Sequence, residues 1–338
     1  MLRPRMTFVP SRSAALVLLA CACALAGCGG ASSGDAPKPS PATLVLDFAP
    51  NAVHAGTYLA TSRGYDEAAG VRLRVVAPSS STDSVKLLRA GRADLAYIDI
   101  HDLAIADERS PGSLVGVMAL VQHPLAAVLA APSVSRPRDL EGRRAGVSGL
   151  PSDDAVLASV VRGDGGDPGR VRKVTIGFQA VPALLSGRVS AATGFWNAEG
   201  VALQRRRPAT HVFRVDDFGA PSYPELVLVT TPKTLREHRP RVAGAVAALR
   251  RGYEATAKDP AAALSALTAA APGVDRTGAA RELAAVTPAF TAPGRPFGDL
   301  DPQTLRTWAA WEQRFGIVKT RPDVARSFAP ELSRSAGG

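Results

Sequence analysis

The stretch TLVLDFAPNAVHAGTYLATSRGYDEAAGVRLRVVA, residues 43–77, decides the fold class of this chain. Its two ends, residues 43–48 and 71–77, are rich in Val and Leu, and both predict β-strands. Residues 55–69 between them predict a helix. A strand, a helix and a second strand in this order are typical of the βαβ unit of a mainly parallel sheet, so the chain is expected to have an α/β fold.

Short apolar strands continue to alternate with Ala-rich helical stretches along the rest of the chain. Further strands are predicted at 94–98, 114–121, 126–131, 144–147, 171–176, 191–194, 211–215 and 226–230, and further helices at 153–162, 181–185, 241–257, 261–270, 278–286 and 302–315. A length of 338 residues also favours two domains.

Two segments resemble each other at an offset of 96 residues. LRAGR at 88–92 and LLSGR at 184–188 each end a predicted helix at a glycine and lead into a predicted strand. Chance similarity in a chain rich in Ala, Leu, Gly and Arg would explain this, and so would two similar α/β lobes. In the second case the ends of equivalent strands would face one cleft, with Tyr97 and Asp99 on one wall and Trp196 on the other.

Charge and cysteine content exclude several classes of function. The chain has 40 Lys and Arg against 30 Asp and Glu, a formal charge of +10, but only six of the basic residues are lysine. Arginines scattered among Ala, Gly and Pro indicate a compositional bias, so we expect no nucleic-acid partner. All three cysteines, Cys21, Cys23 and Cys28, precede residue 30, which excludes a disulfide scaffold or a cysteine metal site in the body.

The N-terminus has the layout of a bacterial export signal. Three arginines precede an uncharged run over residues 14–27, which is shorter than the roughly 20 residues that span a membrane. The residues LAGC at 25–28 resemble the lipobox, in which the signal is cut before a cysteine that carries lipid. An ordinary cleavage nearby or a short buried helix are the alternatives. We expect a signal peptide over 1–27, lipid on Cys28 and a flexible tether over 28–43.

Polar and aromatic side chains gather where the first predicted strand ends. Asp47, Phe48, Asn51 and His54 follow each other there, and Pro50 breaks the strand. Asn51 or His54 could begin the next helix, whose free N–H groups would face the same place. A simple helix cap for Asn51 and a structural role for His54 are the alternatives. These residues are the first candidates for a binding site.

The same stretch resembles a known family. DFAPNAVHAGTYLATSRGYDEAAGV, residues 47–71, resembles the opening motif of the NMT1/THI5-like substrate-binding proteins, in which an Asp-aromatic-x-Pro-Asn-x-x-His-x-Gly string precedes a helix. Four later segments resemble the same family in the right order: ADLA at 93–96, GLPSDDAVL at 149–157, GFWNAEGV at 194–201 and YPELVLV at 223–229. The resemblance covers nearly all of the chain after residue 44.

The resemblance implies the type II periplasmic-binding-protein fold, in which two α/β lobes close on a ligand in the cleft between them. It also implies an ABC permease and a separate ATPase subunit as partners. We place the crossovers near Ala130 and Leu226. The expected division is a first lobe over 44–130 and 226–320, a second lobe over 131–225 and a C-terminal tail over 321–338.

The chain is expected to act as a monomer, anchored by lipid to the outer face of the cytoplasmic membrane.

Neither a Gly-x-Ser-x-Gly elbow, a His-Glu-x-x-His pair nor a P-loop occurs in the sequence. We therefore expect no enzyme activity, no cofactor and no metal.

Within the family, the Pro-Asn-x-x-His, Trp-Asn-x-Glu-Gly and Tyr-x-Glu-Leu motifs resemble those of proteins that bind pyrimidine precursors of thiamin. A flat aminopyrimidine suits aromatic stacking, and its neighbouring donor and acceptor suit carboxylates and amides. The candidates for stacking are Phe48, Tyr97, Trp196 and Tyr223, and the polar candidates are Asp47, Asn51, His54, Asp99, Ser152, Asp153, Asn197, Glu199 and Glu225. The alternatives are core packing for the aromatic rings, solvent exposure for the two glutamates, and helix capping for Ser152 and Asp153.

Other ligands and one enzyme are alternatives. Riboflavin would use the same contacts in a wider cleft. A sulfonate or nitrate site should show an Arg or Lys and helix N-termini, so the acidic candidates disfavour an anion.

Residues 205–207, three arginines, are interpreted as an exposed charge run, with a lipid or transporter contact as the alternative.

A fungal branch of the family makes the pyrimidine from its own histidine and pyridoxal phosphate. His101 matches that histidine, but Tyr97 stands at the position of the cofactor lysine. The region that is rich in cysteine in that branch falls at residues 220–225, which contain none. Without a lysine and thiols the chain has no Schiff base and no soft metal ligands, so this activity is disfavoured.

Overall fold

A computed structural model describes residues 38–78 and 83–335. Its strands are β1 Ser40–Val45, β2 Val71–Val76, β3 Leu95–Asp99, β4 Val115–Ala119, β5 Ala126–Ala130, β6 Arg144–Val147, β7 Arg172–Thr175, β8 Ala191–Phe195, β9 His211–Arg214 and β10 Leu226–Thr230. Its α-helices are α1 Ala55–Ser62, α2 Tyr65–Ala68, α3 Asp83–Arg89, α4 Ile100–Arg109, α5 Pro151–Gly163, α6 Ala180–Leu185, α7 Val201–Arg206, α8 Pro232–Glu237, α9 Arg239–Lys258, α10 Pro260–Ala270, α11 Arg276–Val286, α12 Pro302–Arg314, α13 Val324–Ser327 and α14 Pro330–Ser335.

The strands form two five-stranded mixed sheets with helices around them. The order is β2-β1-β3-β10-β4 in the first sheet and β7-β6-β8-β5-β9 in the second. In each sheet the first three strands are parallel, while β10 and β5 run antiparallel to both of their neighbours. We call each sheet with its helices a lobe. The predicted α/β fold of two lobes is confirmed.

The two lobes have the same strand order, with β3 and β8 at the same position. Each of these strands follows a helix that ends at a glycine, Gly91 at φ 65° or Gly187 at φ 70°. Only glycine adopts this left-handed conformation without strain, so it allows the chain to turn sharply from helix to strand. The similarity of LRAGR and LLSGR therefore reflects the same local structure at the equivalent position of each lobe.

The chain crosses between the sheets twice, before β5 and before β10. We expected the first crossover near Ala130, but residues 126–130 form β5, which pairs with β8 and β9 in the second sheet. The first crossover therefore lies earlier, between β4 and β5. The second lies between β9 and β10, so the expected position at Leu226 marks its end. An apolar run does not reveal in which of two sheets it will pair.

Two expected boundaries also differ at the ends of the chain. The tether was expected to reach residue 43, but β1 begins at Ser40, which pairs in parallel with Val71. The expected tail after residue 320 contains α13 and α14, and it packs on β4, where the Ala329 amide donates to the Gly116 carbonyl at 2.9 Å. The expected signal peptide, Cys28 and the start of the tether lie outside the described residues.

Helix α9 holds α1, the helix that follows the first candidate site, by close backbone contact. A Cβ atom on Gly252 of α9 would lie 2.2 Å from the Gly56 carbonyl oxygen of α1, and one on Gly56 would lie 2.6 Å from the Tyr253 ring. Glycine is therefore needed on both helices. Among the described residues, none of the helices has the length and apolar character to cross a membrane.

We predict that Gly252→Ala lowers the free energy of unfolding by about 1–3 kcal/mol, because the added methyl group forces α9 away from α1. Urea denaturation measures the effect. Gly273→Ala is the matched control, since a Cβ atom at Gly273 would meet nothing within 4 Å. Equal stability of the two variants would show that the close approach of the helices is not required.

Candidate ligand-binding site

The loop after β1 is organised around His54. The Asn51 side chain accepts from the Val53 amide at 2.9 Å and begins a short 3₁₀ turn, while the Asn51 amide donates to Nδ1 of His54 at 3.2 Å. Because Nδ1 accepts, the proton of the neutral ring lies on Nε2, which donates to Asp47 Oδ1 at 2.7 Å. His54 is fully buried and the Asp47 side chain is 16% exposed. His54 therefore holds the Asp47 carboxylate in place at the surface of the site.

Tyr97 lies behind this loop, in the core of the first lobe. It is fully buried, its ring stacks on His54 at 6.0 Å, and its hydroxyl lies 2.7 Å from Thr57 Oγ1. Burial raises the pKa of this phenol. Tyr97 therefore packs on His54 within the core, and it has no exposed ring face on which a ligand could stack.

Glu225 lies where the two crossovers meet. Its Oε2 accepts from the amides of Leu125 at 2.5 Å and Ala126 at 3.2 Å, so a residue at the end of the second crossover holds the end of the first. Glu225 is fully buried, and its Oε1 has no hydrogen-bond partner among the described residues. Burial and the nearby carboxylate of Asp99 raise the pKa of Glu225 to about 8.

A buried network of charges continues from Glu225. Asp99 caps α4 and accepts from the His101 amide at 2.8 Å, while His101 Nδ1 contacts Glu312 and its Nε2 lies 3.2 Å from the Tyr223 hydroxyl. Burial opposes protonation of His101, but the charges of Glu312 and Asp99 outweigh it and raise the pKa to about 10. Tyr223 is fully buried within this network.

Asp99, His101 and Glu225 offer ligating atoms within 4.8 Å of one another, the one such group found in the described part of the chain. Both ring nitrogens of His101 already contact other side chains, Glu312 and Tyr223. A metal ion would have to displace one of these contacts. The geometry therefore favours an ionic hydrogen-bond network at this place over a metal centre.

In the second lobe, the candidate residues lie on a π-helical turn, Trp196–Gly200, directly after β8. Trp196 Nε1 donates to the Pro124 carbonyl at 2.9 Å, and the Arg214 guanidinium lies 4.3 Å from the ring centroid. Glu199 Oε2 accepts from the Phe195 amide at 3.0 Å and so closes the turn. Asn197 is 2% exposed, and its Oδ1 has no partner in the described residues. Such turns occur frequently at functional sites.

The strands of the second sheet bring this turn close to Glu225. Phe195 at the end of β8 pairs with Ala126 at the start of β5, and the Trp196 amide donates to the Leu125 carbonyl at 3.0 Å. Leu125 also donates to Glu225. Trp196, Asn197 and Glu225 are thus linked through one residue of the first crossover, although they come from two lobes.

Two exposed phenylalanines meet at the strand exits. Phe48 follows β1 in the first lobe and is 50% exposed, and Phe178 follows β7 in the second lobe and is 63% exposed. Their ring centroids lie 6.2 Å apart. Among the described residues they are the exposed large hydrophobic side chains. Phe178 was missed in the sequence, although its position after a predicted strand was a usable signal.

The remaining candidates cap a helix or lie beside it. Asp153, in the first turn of α5, accepts from the Ser148 amide at 2.5 Å and so ties the helix to the end of β6. Ser152 beside it is half-buried. Glu312, which the sequence reasoning also missed, follows the buried Trp308 and Trp311 on α12, and an acid on an otherwise apolar helix face was the signal.

Comparison with known proteins agrees with this architecture. The periplasmic aliphatic sulphonate binding protein SsuA from Escherichia coli matches 86% of this chain and 93% of its own, with a TM-score of 0.70 and 14% identity. At that identity the likeness shows the fold alone, which is that of the periplasmic binding proteins.

Sequence comparison also establishes the family of this chain. The NMT1/THI5-like family matches residues 51–263, so this chain belongs to it, as the motifs predicted. The formylaminopyrimidine-binding protein of Halalkalibacterium halodurans is 32% identical over 227 residues, which cover 66% of this chain and 68% of that protein. A 4-amino-5-hydroxymethyl-2-methylpyrimidine phosphate synthase of Uromyces fabae is 23% identical over 232 residues, which cover 64% of this chain and 67% of that protein.

The buried network predicts that stability falls as pH rises. Raised pKa values of about 10 for His101, 8 for Glu225 and 7 for Asp102 mean that the folded chain keeps protons that the unfolded chain releases. The free energy of unfolding should therefore decrease between about pH 5 and pH 9, with each pKa unit worth about 1.4 kcal/mol. Urea denaturation across this range measures the slope.

Glu225→Gln should flatten this slope, because the amide stays neutral and can still accept from Leu125. Glu67→Gln, which alters an exposed carboxylate, is the matched control and should keep the wild-type slope. A wild-type stability that is flat or rises from pH 6 to pH 9 would contradict this account of the network.

Proposed function

We propose that this chain is the substrate-binding component of an ABC importer and that it binds an aminopyrimidine of the thiamin-precursor type. The observation that carries the proposal is a pair of buried side-chain oxygens, Asn197 Oδ1 on the turn after β8 and Glu225 Oε1 at the crossovers, that have no partner among the described residues. A buried polar atom without a partner destabilises the protein. An aminopyrimidine offers a donor beside an acceptor, so its exocyclic amine would donate to Asn197 Oδ1, while a ring nitrogen would accept from Glu225, whose raised pKa keeps it protonated at neutral pH.

Aromatic surface lies next to Asn197 and at the strand exits of the two lobes. Trp196 is half-buried beside Asn197, and the exposed rings of Phe48 and Phe178 stand at the strand exits of the two lobes. A flat heteroaromatic ring gains from stacking on such side chains. Asp47, fixed by His54, adds one partly exposed carboxylate.

The similarity to a formylaminopyrimidine-binding protein supports the same ligand class. A sulfonate or nitrate is a poorer fit, because the partly exposed Asp47 carboxylate would repel an anion. Riboflavin is the next alternative, since its ring system would use the same stacking and amide contacts in a wider cleft.

We propose transport and not catalysis. The fungal branch of the family that makes the pyrimidine needs a lysine to hold its cofactor. In this chain Tyr97 stands at that position, where it is buried and hydrogen-bonded to Thr57. The three cysteines of the chain all precede residue 30. The described residues therefore offer neither the amine nor the thiols for that reaction.

Calorimetry of the chain from residue 28 onward tests the ligand. Formylaminopyrimidine and hydroxymethylpyrimidine should give a heat of binding and, in a parallel titration, a quench or shift of Trp fluorescence. Taurine and nitrate should give no heat. Riboflavin binding without pyrimidine binding would reject the ligand and leave the fold unaffected.

The contribution of the buried Asn197 side chain to ligand binding is tested in the same assay with Asn197→Leu. Loss of one buried hydrogen bond should weaken pyrimidine binding by about tenfold, which corresponds to roughly 1.4 kcal/mol. Gln303→Leu, which removes an exposed amide on α12, is the matched control and should bind like the wild type. Unchanged binding by Asn197→Leu would place the ligand elsewhere.

We further propose that the mature chain is held outside the cytoplasmic membrane by lipid on Cys28, beside its permease. The LAGC sequence at 25–28 supports this. In a bacterial host, Cys28→Ser should move the chain from the membrane fraction to the soluble fraction and abolish labelling with radioactive palmitate. Unchanged membrane retention and labelling would reject the anchor.

A further inference from the structure

A cavity lies on the first lobe, away from the strand exits, between α2 and α9. Its volume is about 310 Å³. Alanines of both helices form much of its wall, while Tyr65, Arg250, Arg251 and Glu254 supply the polar and aromatic groups. The short alanine side chains allow a small molecule to approach these groups.

Arg250 is the unusual group in this cavity. It is 6% exposed, and its Nε and Nη2 are buried without a hydrogen-bond partner in the part of the chain that the structure describes. A guanidinium stays charged at every pH at which the protein folds. A buried charge without a partner destabilises the folded state strongly, so an anion at this position would restore a large part of the lost free energy.

Other arginines that are partly buried have partners. Arg241, on the same helix, donates to Asp94 Oδ1 at 2.8 Å. Arg207 donates to the carbonyls of Leu184 and Leu185 at 3.2 and 3.0 Å and so caps α6. Glu254, four residues after Arg250 on α9, is exposed and forms no ion pair with it.

The surroundings of Arg250 are also positive. The Arg251 guanidinium lies 4.0 Å from the centroid of the Tyr65 ring, and Arg63 donates to the Tyr65 hydroxyl at 3.4 Å. The hydrogen bond from Arg63 and the charges of Arg63 and Arg251 outweigh desolvation and lower the pKa of Tyr65. Three arginines thus lie at or beside the cavity, together with the carboxylates of Glu254, which lines it, and of Asp259, which pairs with Arg63.

We propose that Arg250, assisted by Arg251, binds an oxyanion of the phosphate type in this cavity. The planar fork of a guanidinium matches phosphate oxygens in pairs, and Nε and Nη2 of Arg250 have no hydrogen-bond partner among the described residues. Because both atoms are buried, the anion would have to displace neighbouring side chains to reach them. The phosphate group would come from free inorganic phosphate or from a lipid headgroup. The site is independent of the aminopyrimidine site, because α2 and α9 belong to the helices of the first lobe and not to its strand exits.

Calorimetry in phosphate-free buffer tests the site, with inorganic phosphate, water-soluble dihexanoyl phosphatidylglycerol and dihexanoyl phosphatidylcholine as probes at constant ionic strength. Wild type should bind the first or the second in a saturable way. Tighter binding of inorganic phosphate assigns the free ion, and tighter binding of phosphatidylglycerol than of both other probes assigns the headgroup. Absence of saturable binding of both would overturn the proposal.

Variants on α9 give the matched comparison. Arg250→Met should weaken phosphate binding by about tenfold or more, since charged hydrogen bonds are lost. Arg239→Gln also removes a positive charge from α9, at an exposed position, and should bind like the wild type. Equal loss in both variants, or no loss in Arg250→Met, would overturn the proposal.

Stability separates binding from a purely structural role. Arg250→Met removes an unpaired buried charge and keeps a side chain of similar length, so its Tm in phosphate-free buffer should equal or exceed that of wild type. A clearly lower Tm would indicate that Arg250 is structural and would count against the site. If the variant does not fold, Arg251→Gln replaces it: a several-fold loss of phosphate affinity supports the proposal, and unchanged affinity overturns it.

Discussion

The contact between the Glu225 carboxylate and the amides of Leu125 and Ala126 joins the two crossovers of the chain. Each crossover delivers one antiparallel strand to the other lobe, β5 to the second sheet and β10 to the first. Near this contact, Ser222 on the second crossover bonds His123 on the first at 3.0 Å. Two lobes that could otherwise move independently are thus held at one place by hydrogen bonds that are buried from water.

The candidate site follows from this junction. Glu225 has a second oxygen without a partner among the described residues, and Leu125 links it to the π-helical turn that carries Trp196 and Asn197. A ligand that forms hydrogen bonds with both Asn197 Oδ1 and Glu225 Oε1 would contact the junction and the second lobe at the same time.

Sequence patterns predicted the elements of the fold well. Strands β6 and β10 begin and end where the sequence placed them, and α9 and α11 extend only one or two residues beyond the expected range. The exit of β1 was also predicted to gather Asp47, Asn51 and His54, and the structure brings them together. In these cases the signal is local, because periodicity, a proline break and a helix cap act over a few residues.

The roles of individual side chains were harder to predict. Tyr97 and Tyr223 follow the same aromatic pattern as Trp196, but both tyrosines are fully buried while Trp196 keeps an exposed part. Which face of a strand or loop is covered depends on helices far along the chain, here those that carry Tyr253 and Glu312. Arg250 likewise gives no sign in the sequence that it is buried without a partner.

By itself, the sequence determined the α/β class and the residues at the exit of β1, because alternation of apolar residues and proline breaks are set by neighbours in the chain. Only the tertiary structure decided that β5 belongs to the second sheet, that Glu225 ties the two crossovers and that Phe48 meets Phe178. Those three facts depend on pairing between segments about 70 to 130 residues apart, and no local pattern encodes such pairing.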